Sequence, residues 1–256
     1  MTHTPALQLT ELVRDFGSKR AVDHLSLTVP AGVMFGLVGP NGAGKTTTLS
    51  MATGLLRPNY GSALVLGRDV WADPPAAKAL MGVLPDGMRL FDRLTGRELL
   101  KYVGSLRGIP AEQLLPRSEE LLATLDLSED ANTLVVDYSA GMTKKIGLAC
   151  ALIHAPRLLV LDEPFESVDP VSGEVIRSIL RQFVTGGGTV VLSSHVMELV
   201  ENLCSRIAVL EDGRVLACGT LDEVRGGMSL QQRFLSLVGT KATDPEGLAW
   251  LRSSSN

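Results

Sequence analysis

The chain has 256 residues, 45% of them apolar, and a formal net charge of −4. That length suits one large α/β domain, or a domain with a subdomain, around a sizeable core. The mild acidity and the 4% aromatic content argue against nucleic acid as a partner, because neither a basic field nor a stacking platform is available.

In chain order, Leu7 and Leu9, then Leu25, Leu27 and Val29, alternate at strand spacing, so residues 7–29 read as β structure. Met1–Leu12 holds no apolar core of a signal peptide. No stretch approaches the about 20 apolar residues of a membrane span, so a cytosolic chain is expected, with any membrane part supplied by a partner. Ala31-Gly32 turns into Val33–Val38, a nearly continuous apolar run that suits a strand buried on both faces of a parallel sheet.

Directly after that run, Gly39-Pro40-Asn41-Gly42-Ala43-Gly44-Lys45-Thr46-Thr47 fits G-x-x-x-x-G-K-[ST], the loop that wraps the phosphates of ATP or GTP. Glycines let backbone N–H groups turn inward as an anion nest. Lys45 reaches the β- and γ-phosphates as a point charge, and the Thr46 hydroxyl can ligate Mg²⁺. The helix expected over 45–53 points its positive end at the same phosphates. A chance glycine loop would share this composition, but strand, loop and helix stand in the order that phosphate binding requires.

Gly54 and Arg57–Gly61 mark a break, followed by short strands at Ser62–Leu66 and Met81–Pro85. From Asp86 to Ala151 the periodicity is helical: Leu99, Val103 and Leu106, then Leu121, Leu122 and Leu125, then Met142, Ile146, Ala149 and Ile153. Within this candidate insertion, Ser139 is a good N-cap for a helix over 143–154. Small residues at such a helix start also suit a second anion site.

Leu158–Leu161 is an apolar strand that ends in Asp162-Glu163-Pro164. Beside a phosphate loop this is a Walker B pattern: Asp162 placed to hold Mg²⁺ opposite Thr46, and Glu163 one residue on, as a general base for water. A buried strand stopping in a polar loop is the plainer alternative. Val175, Ile176, Ile179, Leu180 and Phe183 then line a helix, Thr189–Leu192 is a strand after Gly186–Gly188, and 207–217 reads as a hairpin turned by Glu211-Asp212-Gly213. Ser229–Val238 is amphipathic, and the Ser-rich end beyond is expected to fray. Cys150, Cys204 and Cys218 form no C-x-x-C, so neither zinc nor a disulfide framework is suggested, and Cys150 reads as a small buried hydrophobe.

With these motifs in this order, the chain resembles the nucleotide-binding domain of ABC transporters from about Leu7 to Glu223. The resemblance implies a P-loop NTPase core with a parallel sheet, an antiparallel β subdomain at the N-terminus and a helical subdomain. It divides the chain into an ATP-binding domain over 1–225, with its helical part at about 86–151, and a short extension over 226–256 that is disordered in part. Tyr138–Met142 takes the place of the family signature, Phe16 that of the aromatic stacked on adenine, Asp169 that of the D-loop and His195 that of the switch histidine at the γ-phosphate. The implied activity is hydrolysis of ATP with Mg²⁺. The implied partners are an integral-membrane permease and a second ATP-binding subunit, in a homodimer where Ser139 and Gly141 serve the other copy's nucleotide. The implied location is the inner face of the cell membrane, as a peripheral cytoplasmic subunit.

Three of the motifs depart from the family pattern. Asp86 stands in place of the Q-loop glutamine, Ala140 and Met142 replace a glycine and the glutamine of the signature, and Ser167-Val168 precedes Asp169. A carboxylate at 86 binds Mg²⁺ more strongly than an amide but adds negative charge near the phosphates. Asp86, with the following Leu94–Leu99, resembles ATPases paired with separate drug and antibiotic export permeases. Leu90, Phe91 and Leu94 read equally well as a permease groove or as local core. A soluble ABC-type ATPase of an assembly or repair complex is the alternative. A P-loop kinase would leave the signature and His195 unexplained.

Overall fold

A computed structural model describes residues 4–239, so the expected fraying of the Ser-rich end lies outside the described residues. β1 (Leu7–Phe16) and β2 (Lys19–Val29) form an antiparallel hairpin with breaks in register near Glu11 and His24, both at positive φ. The chain then enters a second sheet at β3 (Met34–Val38), whose five residues are all buried, and passes through the glycine loop into α1 (Lys45–Ala52). β4 (Tyr60–Val65) and β5 (Arg68–Asp69) return to the first sheet and complete the antiparallel order β2-β1-β4-β5.

α2 (Pro74–Ala79) leads to β6 (Met81–Leu84), the edge of the second sheet. Three helices follow, α3 (Gly96–Leu106), α4 (Ala111–Thr124) and α5 (Ala140–Leu152). They start at Gly96, not at Asp86, because Asp86–Thr95 is a loop that ends in a capping box between Thr95 and Glu98. α5 begins at Ala140, directly after Ser139, three residues before the expected start, because the Ser139 hydroxyl accepts the Met142 N–H and fixes the first turn there.

β7 (Leu158–Leu161), α6 (Pro170–Thr185), β8 (Thr189–Ser194), α7 (Met197–Leu203), β9 (Arg206–Glu211) and β10 (Arg214–Thr220) complete the second sheet in the order β10-β9-β3-β8-β7-β6. All pairings are parallel except the β9–β10 hairpin. α8 (Leu221–Arg225) and α9 (Leu230–Val238) close the described chain.

Two cores lie on opposite faces of the six-stranded sheet. Phe35, Leu37, Val160, Val191 and Leu210 face the antiparallel sheet and α1, while Met34, Val38, Leu159, Leu161, Val190 and Leu192 face the helices. Each such side chain contributes about 1.5–3 kcal/mol on burial, which is why these strands read as apolar runs rather than alternating ones. α5 rests so close on β6 that a Cβ at Gly82 would lie 2.1 Å from the Ala151 carbonyl oxygen. The two layers thereby fix the C-terminal ends of β3, β6 and β7 around one cleft.

Candidate active site

The cleft has a volume of about 460 Å³ and is lined by Phe16, Lys19, the loop from Asn41 to Thr47, Asp86, Glu163, Glu166 and His195. Gly39 and Pro40 form the entry to the loop. Gly42 and Gly44 hold φ of 86° and 97°, values that glycine adopts without strain. A Cβ at Gly44 would stand 2.5 Å from the Ala21 carbonyl oxygen, so the loop wraps tightly under the β1–β2 hairpin. Gly44 caps α1 without a side chain, which leaves the amides of Lys45, Thr46 and Thr47 facing no capping oxygen.

Lys45 is buried, and its ammonium group donates to the carbonyl oxygens of Gly39 at 2.8 Å and Pro40 at 3.2 Å. Its third neighbour is Glu163 Oε1, at 3.6 Å. A glycine-wrapped, uncapped helix start with a buried cation is a fitting receptor for a polyphosphate.

β7 delivers Asp162 and Glu163 at its C-terminal end, both buried. Asp162 accepts a hydrogen bond from the Ser193 hydroxyl, and the Ser193 oxygen in turn accepts the Glu163 N–H at 2.8 Å. Burial pushes the Asp162 carboxyl above its ordinary range, the hydroxyls of Ser193 and Thr46 pull it down, and Asp86 and Glu163 add a smaller upward push by repulsion. A carboxylate in that state, beside a threonine hydroxyl and an open phosphate nest, fits a magnesium ion brought in with a nucleotide. Among the described residues no three His, Cys, Asp or Glu side chains converge on one point, and magnesium of this kind needs no such cage.

Glu163 has φ of 45°, an uncommon conformation for a side-chain-bearing residue. Its Oε1 lies 3.1 Å from His195 Nδ1. With the proton on Nδ1 the imidazole donates to Glu163, whereas the other neutral tautomer would set two acceptors against each other. Phe16 stands at the rim, about half exposed, with the Arg14 guanidinium 4.8 Å from its ring centre. Asp86 lines the cleft, accepts the Gly87 N–H at 2.8 Å and lies 3.9 Å from Lys144 Nζ.

Ser139 and Gly141 are not brought to this cleft. Ser139 is exposed at the start of α5, and Gly141 packs against α6, where a Cβ would meet Asp169 Oδ2 at 2.9 Å and Ser172 Oγ at 3.0 Å. Asp169 itself caps α6, accepting the N–H groups of Val171 and Ser172. Leu90 and Leu94 pack onto the helical core, whereas Phe91 stays exposed and meets Tyr102 edge to face with ring centres 5.0 Å apart. Lys19 and Glu166 also line the cleft and were not singled out by sequence. No motif marks them, although Glu166 lies three residues beyond Glu163. Cys150, expected to be buried, is partly buried on α5 against the helical core, and desolvation pushes its thiol up to about 12.

A family model described as ABC transporter matches residues 22–166. The daunorubicin/doxorubicin resistance ATP-binding protein DrrA of Streptomyces peucetius is 37% identical over 225 residues, 88% of this chain and 68% of that protein. The linearmycin resistance ATP-binding protein LnrL of Bacillus subtilis (strain 168) is 36% identical over 214 residues, 84% of this chain and 69% of that protein. The Nod factor export ATP-binding protein I of Rhizobium sp. (strain N33) is 40% identical over 215 residues, 84% of this chain and 71% of that protein. A solved ATP binding subunit of an ABC transporter shares the fold with a TM-score of 0.84 at 27% identity, over 91% of this chain and 99% of that one. By the family model that matches more than half of the chain, by these relatives and by the shared fold, the chain belongs to the ABC transporter family as an ATP-binding subunit, an ATPase.

Proposed function

We propose that this ATPase drives export of a substrate through a separate membrane permease, as a homodimer bound to the cytoplasmic face of the membrane. The observation that carries the chemical part is the convergence of His195 and Lys45 on one oxygen of Glu163, at 3.1 Å and 3.6 Å, beside the phosphate loop. Glu163 acts as general base: it takes a proton from the attacking water as the oxygen bonds to the γ-phosphorus and the bond to the bridging oxygen of ADP breaks. Lys45 turns from the loop carbonyls to the β- and γ-phosphates. The amides of Gly42 and Gly44–Thr47 and the entry residues Gly39, Pro40 and Asn41 cradle the phosphates, with Ala43 packed beneath and its N–H closing the loop onto the Pro40 carbonyl. Thr46 and Asp162, with Asp86 close by, would hold Mg²⁺, which neutralises phosphate charge when bound. Phe16 stacks on the adenine, and His195 meets the γ-phosphate through Nε2.

Ser139 and Gly141 act in trans. The exposure of Ser139 at a helix start away from its own cleft supports a head-to-tail dimer, in which each α5 completes the other copy's site. Residues 1–225 form the ATP-binding domain, with the helical part over about 86–151 passing motion outward, and 226–256 an extension. The exposed pair Phe91 and Tyr102 offers the permease an apolar anchor next to the Asp86 loop. None of the described helices is long and apolar enough to cross a membrane, which suits a subunit that borrows its membrane part. Relatives named for drug resistance and Nod factor export favour transport over a soluble assembly role.

Affinity purification of the chain from detergent-solubilised membranes tests this reading. It should bring down an integral-membrane protein in stoichiometric amount. Recovery solely as a water-soluble complex would overturn the transport assignment.

A further inference from the structure

Lys144 lies on α5, one residue from the buried Lys145, yet the two lysines point to different tasks. Lys145 Nζ is held by the Asp126 main chain at 3.1 Å. Lys144 Nζ instead donates to the carbonyl oxygen of Glu163 at 3.0 Å and stands 3.9 Å from Asp86 Oδ1. One ammonium group thus spans from the helical region to the Asp86 loop and to the end of β7.

We propose that Lys144 is a positioning residue of the ATPase site, pinning the main chain of Glu163 and balancing the charge of Asp86 so that the Glu163 carboxylate keeps its aim.

Three observations support this. Glu163 sits at φ 45°, a conformation that persists only where its surroundings hold it. Its N–H is held by Ser193 Oγ at 2.8 Å, and its carbonyl oxygen accepts both the Lys144 ammonium at 3.0 Å and the Glu166 N–H at 3.2 Å, so Lys144 supplies one of three holds on the main chain of Glu163 and the one that comes from the helical region. Second, Asp86 adds a carboxylate to a cleft that already contains Asp162 and Glu163, and its repulsion is felt at Asp162 after the larger effect of burial. Lys144 is the cation placed to offset it. Third, the Lys144 side chain is only 18% exposed, whereas Asp86 is 43% exposed. A pair of that length and exposure adds little to fold stability, so its weight falls on the geometry of the site.

The linkage also gives Asp86 a task that a neutral glutamine would not have. Movement of the Asp86 loop or of α5 would pull on the peptide that aims Glu163. Because Ser139 caps α5 and Gly141 lies in its first turn, closure against a second copy and the set of Glu163 are joined through the start of one helix.

The proposal rests on Glu163 as general base, so the test carries Glu163→Gln in parallel. Steady-state ATP hydrolysis by the full chain is measured for Lys144→Met, Lys144→Arg, Asp86→Asn and the Lys144→Met/Asp86→Asn double variant. Affinity for the fluorescent trinitrophenyl analogue of ATP and Tm are measured beside it. Lys144→Met should lower kcat by roughly 10- to 100-fold, the size expected for a misaimed catalytic group, with KM and analogue affinity within about threefold and Tm unchanged. Lys144→Arg should recover most of the rate, and Asp86→Asn should cost less in the Lys144→Met background than alone. Wild-type kcat in Lys144→Met, a joint loss of kcat, affinity and Tm, or equal cost of Asp86→Asn in both backgrounds would each overturn it. Full activity in Glu163→Gln would instead remove the general-base reading itself, whereas an inactive Glu163→Gln beside a fully active Lys144→Met would sink only the role of Lys144.

Discussion

His195 Nδ1 lies 3.1 Å from Glu163 Oε1, and this contact joins the end of β8 to the end of β7 across the floor of the cleft. A histidine held on a carboxylate in this way has its second ring nitrogen left over for a ligand. It also restricts Glu163 to the orientation in which Lys45 sees the same oxygen. Glu163 and His195 are thus fixed against one another by the protein itself, the condition under which placed charges act most strongly on a transition state.

Phe16 gives the first prediction. Its ring is about half exposed and Arg14 lies against it. Removing a base-stacking aromatic costs about 1–3 kcal/mol, or roughly 5- to 150-fold in Kd. Phe16→Ala should weaken nucleotide binding by that factor in a fluorescence titration, and Phe16→Tyr should restore it. Equal affinity in Phe16→Ala would remove Phe16 from the adenine site.

Asp162 supports a second. It is 4% exposed and its carboxyl is pushed upward chiefly by burial, so the ionised side chain costs stability in the absence of a cation. Asp162→Asn can still accept the Ser193 hydroxyl and carries no charge. The nucleotide-free protein should gain stability, and a gain of about 1 kcal/mol would raise Tm by roughly 2–4 °C for a chain of this size. The same variant should lose Mg²⁺-dependent hydrolysis. A lower Tm in calorimetry would contradict the account of Asp162 as a residue kept for function against stability.

Gly82 tests the packing beneath the site. A Cβ there would stand 2.1 Å from the Ala151 carbonyl oxygen and 2.8 Å from the Leu159 side chain. Overpacking of this kind costs about 1–3 kcal/mol. Gly82→Ala should lower the midpoint of urea unfolding accordingly, and an unchanged midpoint would show that α5 and β6 are less tightly joined than described.

Much of this site was legible in the sequence, and the boundary of what was legible has a physical cause. The phosphate loop and Asp162-Glu163 are contiguous, and their chemistry demands particular residues at fixed spacing, so Gly39–Thr47 and Leu158–Glu163 stand out in one dimension. The buried strands stand out for the same reason, since burial on both faces leaves apolar runs. The separation of Ser139 from its own cleft depends on how α5 packs against β6, which no local pattern encodes. Lys144 and Lys145 are adjacent and alike in charge; their division between Asp86 and Glu163 on one side and Asp126 on the other arises from the helix surface. The short helices α2, α7 and α8 span too few turns to show a period, and α2 is fixed mainly by its Asp73 cap. Leu90, Phe91 and Leu94 read alike in sequence, yet two turn inward and one outward.

The central claim is that each cleft is half of a site, with Glu163 as base in one copy and Ser139 from the other closing over the nucleotide. Light scattering on size-exclusion-purified Glu163→Gln with ATP and Mg²⁺ tests it most directly. The account predicts a stable dimer of twice the chain mass that retains uncleaved ATP, and its dissociation to monomers when Ser139→Arg is added. A Glu163→Gln protein that hydrolyses ATP at the wild-type rate, or binds ATP and stays monomeric at every concentration, would contradict it.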